Sequence, residues 1–270
     1  MNVRQKKKAK QDYLIGATLV LIVLAVIVYF GYAMLNDKSI ALGKDGCPTD
    51  RSLVNGQTIF LIDKTDRLSK IQKDSVEVDI KNRIYGLPEY HQVSIFAISS
   101  DLLKSGDPIL NLCSPRKFDS TRDKEFSTGK DYLETQFERK FKAPIMEATK
   151  SLIESQPDKN SPIFEMLQFI KINGIDRSNL STSKKQNLII YSDLLHHTDN
   201  FTLYQINPSY SQFINSNYAM KAVPNLRGIE VSFQVFISRP EFQKEPLIKF
   251  WRELVKDRGG LVAEVNFIQG

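Results

Sequence analysis

The chain has 270 residues, 41% hydrophobic and 25% charged, with two cysteines and a formal net charge of +6. That charge does not mark a nucleic-acid binder. Five cations and one acid (Arg4, Lys6, Lys7, Lys8, Lys10 and Asp12) sit in the first twelve residues, and the nearly neutral remainder has no basic stripe interleaved with aromatics.

From Tyr13 to Asn36 no Asp, Glu, Lys, Arg or His occurs, and most positions are Leu, Ile, Val, Ala, Phe or Tyr. A helix of about 20 such residues crosses the hydrocarbon core, and helix satisfies its backbone within one segment. Tyr13, Tyr29 and Tyr32 stand near its ends, where headgroups favour amphipathic rings. The basic flank before it and the balanced flank after it (Asp37, Lys38, Lys44, Asp45) place the N-terminus in the cytoplasm. The expectation is an integral, single-pass protein of the bacterial inner membrane, with residues 1–12 as cytoplasmic tail and the rest periplasmic. A cleaved signal peptide is the competing reading, with Gly31-Tyr32-Ala33 as its cleavage site, but its apolar stretch would be shorter.

Residues 37–56 read as a linker. Residues 57–270 then alternate apolar runs of strand length with longer helical stretches. Strands are expected at 57–62, 92–99, 108–113, 187–192, 228–238 and 261–268. Helices are expected at 66–85, at 128–155 (opened by Thr128 three before Asp131), at 161–173 (Ser161 as N-cap, Pro162 at the first turn), at 208–219, and from Pro240 to Asp257. Continuous apolar strands separated by helices imply a doubly wound α/β domain with a mostly parallel six-stranded sheet. The short step from the second strand to the third makes the latter an antiparallel edge. Cys47 and Cys113 either pair, clipping the start of the domain to a strand end, or are two separate thiols.

Ligands of open α/β sheets bind beyond the carboxyl ends of the strands. Asp63-Lys64-Thr65-Asp66 ends the first strand, Ser99-Ser100-Asp101 the second, Cys113-Ser114-Pro115 the third and Ser192-Asp193 the fourth. Carboxylates with hydroxyls are the oxygen donors that a partly hydrated Mg²⁺ takes. With the strand order, Asp63 and Thr65 two positions on, and Asp193 after the fourth strand, the chain resembles a von Willebrand factor A-type domain. That resemblance implies a metal-ion-dependent adhesion site in which an acidic group of a protein partner completes the shell of the ion. The ligands it implies here are Asp63, Thr65, a loop threonine (Thr128, or Thr121) and Asp193. Where the family has serine at the fifth motif position this chain has Arg67, and Asp66 is the substitute donor.

Phe60-Leu61-Ile62-Asp63-Lys64-Thr65 is also similar to the phosphorylated-aspartate motif of P-type ATPases and haloacid-dehalogenase-like enzymes. That resemblance implies a phosphohydrolase with Asp63 as nucleophile and Ser99 in the second motif. Asp66 and Arg67 replace the Gly-Thr of that motif. No hydrolase or Gly-rich phosphate motif occurs elsewhere, and no catalytic residue is assigned. His196 and His197 are adjacent, so they do not share one ion; a polar loop is the expected role, and His91 carries no chemistry. Phe250 and Trp251 are expected to pack on the sheet. The reading is a membrane-anchored interaction module with Mg²⁺ as cofactor; a metal-free structural subunit is the third alternative.

Overall fold

The computed structural model describes residues 3–36, 40–101, 106–119, 129–154, 159–181 and 183–270, with side chains of the first stretch described for 16–32. Two compact units result, Met1–Ala41 and Leu42–Gly270. The first holds helix α1, Val3–Asn36. Side chains at 16–32 are exposed all round, Leu21 and Val28 among them at 67% and 68%. Among the described residues no helix is long and apolar enough to cross a membrane; positions 13–15 and 33–36 of the expected span lie outside the described side chains.

In the second unit strands β1 (Gly56–Asp63), β2 (Gln92–Ile98), β3 (Leu110–Cys113), β4 (Lys185–Ser192), β5 (Ile229–Phe236) and β6 (Leu261–Ile268) form one sheet in the order β3-β2-β1-β4-β5-β6. Only β3 runs antiparallel, against β2. All eight positions of β1 are buried, as a central strand covered on both faces requires. Helices α2 (Lys70–Gly86) and α3 cover one face; α3 spans 130–153 and widens into a π-helical stretch over Phe137–Lys142. On the other face lies α4, Ile163–Phe169 continued by a π-helical Ile170–Asp176. With it are α5 (Tyr210–Ile214), α6 (Asn217–Ala222) and α7 (Glu245–Asp257). Each face has its own core: Phe60, Ile62, Val76, Ile80 and Phe141 on the first, Ile59, Phe96, Phe164, Phe233, Phe250 and Trp251 on the second.

The anticipated strands are all present, and the edge strand is antiparallel as expected. Three helices start later than expected. α2 begins only after Ser69, whose hydroxyl accepts the Gln72 N–H while the Gln72 side chain accepts the Ser69 N–H. α3 opens after Gly129 without a side-chain cap, and Thr128 lies outside the described residues. α4 starts at Ile163 after Pro162, so Ser161 is not its cap; its hydroxyl has another partner, described below. This helix also runs past Asn173, its expected end, to Asp176. At Gly174 the π-helical turn comes close to the sheet: a Cβ there would meet the side chains of Ile59 at 3.0 Å and Phe96 at 3.2 Å, which would have to give way.

The stretch read as linker is folded from 42 onward. Leu42 and Pro48 bridge across a tight turn, Arg51–Leu53 forms a 3-10 turn capped by Asp50, and Val54 is fully buried. A disulfide joins Cys47 to Cys113 at the end of β3. Its small polar residues gave the segment the composition of a spacer, whereas the cross-link and the buried Cys47, Pro48 and Val54 hold it to the domain.

Candidate functional site

Pairing sets the site. β1 and β4 run in parallel register with Ile62 opposite Tyr191, so Asp63 and Ser192 end the two strands at one level. Both are buried, Asp63 at 4% exposure. Asp63 Oδ1 accepts the backbone N–H of Thr65 at 2.9 Å and its hydroxyl at 2.6 Å. Asp63 Oδ2 accepts the hydroxyls of Ser192 at 2.7 Å and Ser161 at 3.1 Å. Three chain segments therefore meet on one carboxylate. Ser161 arrives there because its backbone exchanges hydrogen bonds with His197 in the loop after β4.

That loop is itself tightly held. Leu194 is in the left-handed region at φ 63°, uncommon for a branched side chain. Its N–H donates to Ser192 Oγ at 2.9 Å, and its carbonyl accepts the Trp251 indole N–H at 3.0 Å. Asp193 Oδ1 accepts the Leu195 N–H and Oδ2 the Ser238 hydroxyl. Gln243 ties this loop to the next: its amide donates to the carbonyls of Asp193 and Phe236 and accepts from the N–H groups of Ser238 and Arg239. Trp251, 1% exposed, thus packs against the core as expected and also holds the turn that carries Asp193.

Burial is the dominant electrostatic effect. It pushes the Asp63 carboxyl above its ordinary range, against the hydrogen bonds of Thr65, Ser192 and Ser161. Asp193 is raised well above that range by burial, by the neighbouring charge of Asp63 and by Asp66, which stands within hydrogen-bonding reach. Tyr204 is pushed up to about 12 by burial and then by Asp193, Asp66 and Asp63, so its ring borders the same acids. It packs edge-on to Phe242 and to His197.

Of the residues singled out in the sequence, Asp63, Thr65, Asp66 and Asp193 come together at this rim; Thr128 and Thr121 lie outside the described residues. Ser161, Ser192, Ser238 and Gln243 belong to the same network and were not singled out as ligands. The readable signal for Ser161 was its place ahead of a helix that leads into the rim, but a serine there reads first as a cap. Among the described residues no cluster of three or more His, Cys, Asp or Glu is disposed to hold a metal. Carboxylates completed by hydroxyls are a different donor set, all oxygen, of the kind that hard cations take.

His196 is a core residue. It is fully buried, stacks on Phe164 at 4.2 Å, and faces the Tyr218 hydroxyl, which donates to Glu165, through Nε2 at 3.0 Å. Burial pushes its pKa down to about 3, with His197 adding to the shift. An unfolded chain takes up this proton near pH 6.5 and the native one does not, so stability falls as pH drops below that value and is flat above it. Between pH 7.5 and 5 the wild type is expected to lose about 2 kcal/mol relative to His196→Gln, measured by urea denaturation; parallel curves would refute it. His91, buried at the start of β2 against Thr58, is likewise pushed down, to about 4, by burial and Lys185, far from the rim.

No family model matches this sequence, and none of the curated proteins matches it. A solved structure, the conserved hypothetical protein BatB from Bacteroides thetaiotaomicron, is similar at 13% identity and a TM-score of 0.38, over 78% of this chain and 91% of that one.

Proposed function

We propose that the protein is an interaction module of von Willebrand factor A type, tethered to the bacterial inner membrane by α1 with its α/β unit in the periplasm. The unit recruits a protein partner at the rim of Asp63 and Asp193. The observation that carries this reading is the convergence of Thr65, Ser161 and Ser192 on Asp63, with Asp193 close enough to feel its charge. Two carboxylates that burial pushes above their ordinary range, with Asp193 raised further by the charge of Asp63, make a favourable place for a divalent cation, which would remove the repulsion. Asp63, Asp193 and Thr65 would hold Mg²⁺, Ser161 would take the role that the resemblance gives to Thr128, and Asp66 would take that of the missing serine at Arg67. Tyr204 and Phe242 offer an apolar border on which a partner presenting an acidic side chain would seat. The disulfide supports an oxidising compartment, and the charge-free run of α1 beside a lysine cluster supports the anchor.

Thermal unfolding of the full chain in detergent with and without millimolar Mg²⁺ or Mn²⁺ tests this. A rise of several degrees in wild type, absent in Asp193→Asn, is expected. No rise in wild type would leave a metal-free structural subunit, and aryl-phosphate hydrolysis lost in Asp63→Asn would favour a phosphohydrolase.

A further inference from the structure

At the opposite end of the sheet from Asp63, the core facing α4 turns polar. Gln57, Gln92 and Ser94 are buried there, at 0%, 3% and 1% exposure. Asn111 Oδ1 accepts both the Gln92 amide at 2.9 Å and the Ser94 hydroxyl at 2.8 Å. Gln57 donates its amide to the carbonyl of Gly174, in the π-helical turn. Next to this ladder lies a cavity of about 450 Å³, lined by Arg51, Gln92, Ser94, Asn111, Asn173 and Arg177 among others. π-helical turns often occur at functional sites, and buried amides make a costly way to fill a core.

The charge of the cavity wall is specific. Arg51 is half-buried, and its guanidinium bonds two neutral acceptors, Gln92 Oε1 at 2.8 Å and the Ser178 carbonyl at 3.3 Å. Arg177 is paired with Asp107, the acid on the cavity wall, and both are exposed. Among the described residues the wall therefore carries one uncompensated positive charge, from Arg51. Donors are in surplus too. A guanidinium has five N–H donors, and Asn111 uses its oxygen for the two bonds above, leaving its amide N–H groups for a ligand. Arg51 is held at this place by chemistry of its own. It sits in the 3-10 turn four residues after Cys47, and the disulfide clips that segment to the end of β3, the strand that carries Asn111.

We propose that this cavity binds a small monoanionic carboxylate carrying an adjacent amide group. The carboxylate would bridge Arg51 and Asn111, and the amide would exchange hydrogen bonds with the ladder and Asn173. One net positive charge matches one carboxylate, and the planar guanidinium fork suits it. The cavity is of the size that takes a small molecule.

The probes are N-acetylglycine, its uncharged analogue N-acetylglycinamide, and inorganic phosphate, titrated calorimetrically against the full chain in detergent. Saturable binding of N-acetylglycine, with the amide and phosphate at least about tenfold weaker, is expected. Arg51→Gln should weaken binding by about tenfold or more, and Arg51→Lys by less. Should Arg51→Gln fail to fold, Asn111→Asp serves in its place: it keeps the oxygen that Gln92 and Ser94 need and sets a like charge against the ligand, so binding should vanish. Equal binding of acid and amide, preference for phosphate, no binding by the wild type, or an unaltered Asn111→Asp would each overturn the proposal.

Discussion

Asp63→Ala is expected to destabilise the α/β unit by on the order of 3–5 kcal/mol, because it removes one acceptor and strands several buried donors at once. The Thr65, Ser161 and Ser192 hydroxyls and the Thr65 N–H all lose their partner. An unsatisfied buried donor costs about 1–3 kcal/mol, and relief of the burial penalty on the carboxylate offsets part of that sum. Asp193→Asn is expected to act in the opposite direction. The asparagine keeps an oxygen for the Leu195 N–H and presents an amide to Ser238, which accepts instead of donating, while the repulsion with Asp63 and Asp66 disappears. Because the folded carboxyl of Asp193 is raised above its ordinary value, its penalty is present at neutral pH and fades as pH falls toward about 4. The stabilising effect of Asp193→Asn should follow that course in EDTA, and reverse to a loss in saturating Mg²⁺. Urea denaturation in the two media measures both signs. Destabilisation of Asp193→Asn in EDTA, or indifference of Asp63→Ala, would mean that the acids are not the strained centre of the rim.

The two carboxylates were legible because strands buried on both faces read as unbroken apolar runs, so the first acid after each run marks the rim. Asp63 and Asp193 follow 57–62 and 187–192 in that way. What the pattern does not carry is which loop turns back. Ser161 reaches Asp63 through a backbone bridge with His197, thirty-six residues away in the chain, and no local periodicity announces such a pairing. The spacing of Thr128 to Asp131 is a local signal for a helix start, and α3 opens two residues later, at Lys130. The polar ladder was hidden for a related reason. Gln57, Gln92 and Asn111 stand at strand ends, where polar residues normally face solvent, and only the sheet order and the π-helical turn above them make that corner an interior one.

Removing the Cys47–Cys113 disulfide is expected to cost about 4 kcal/mol, from the loop-closure entropy of its sequence separation of 66. For a domain of this size that corresponds to a fall in Tm of roughly 10 °C, read by calorimetry on Cys47→Ala/Cys113→Ala. The competing expectation is local. Without the cross-link the segment still has the Cys113 N–H on the Asp45 carbonyl at 3.0 Å, the Arg51 bond to Gln92 and a fully buried Val54. If these hold the segment in place, the native contacts persist and the loss is carried by the unfolded chain, which gains freedom; unfolding then stays one cooperative transition at a lower temperature. If they do not, residues 43–55 exchange their amide hydrogens rapidly while the sheet melts nearly where it did before. The first outcome is expected, because a segment with a buried anchor and a buried half-cystine is part of the core. A Tm within about 2 °C of wild type would show that the clip tethers only a surface strap.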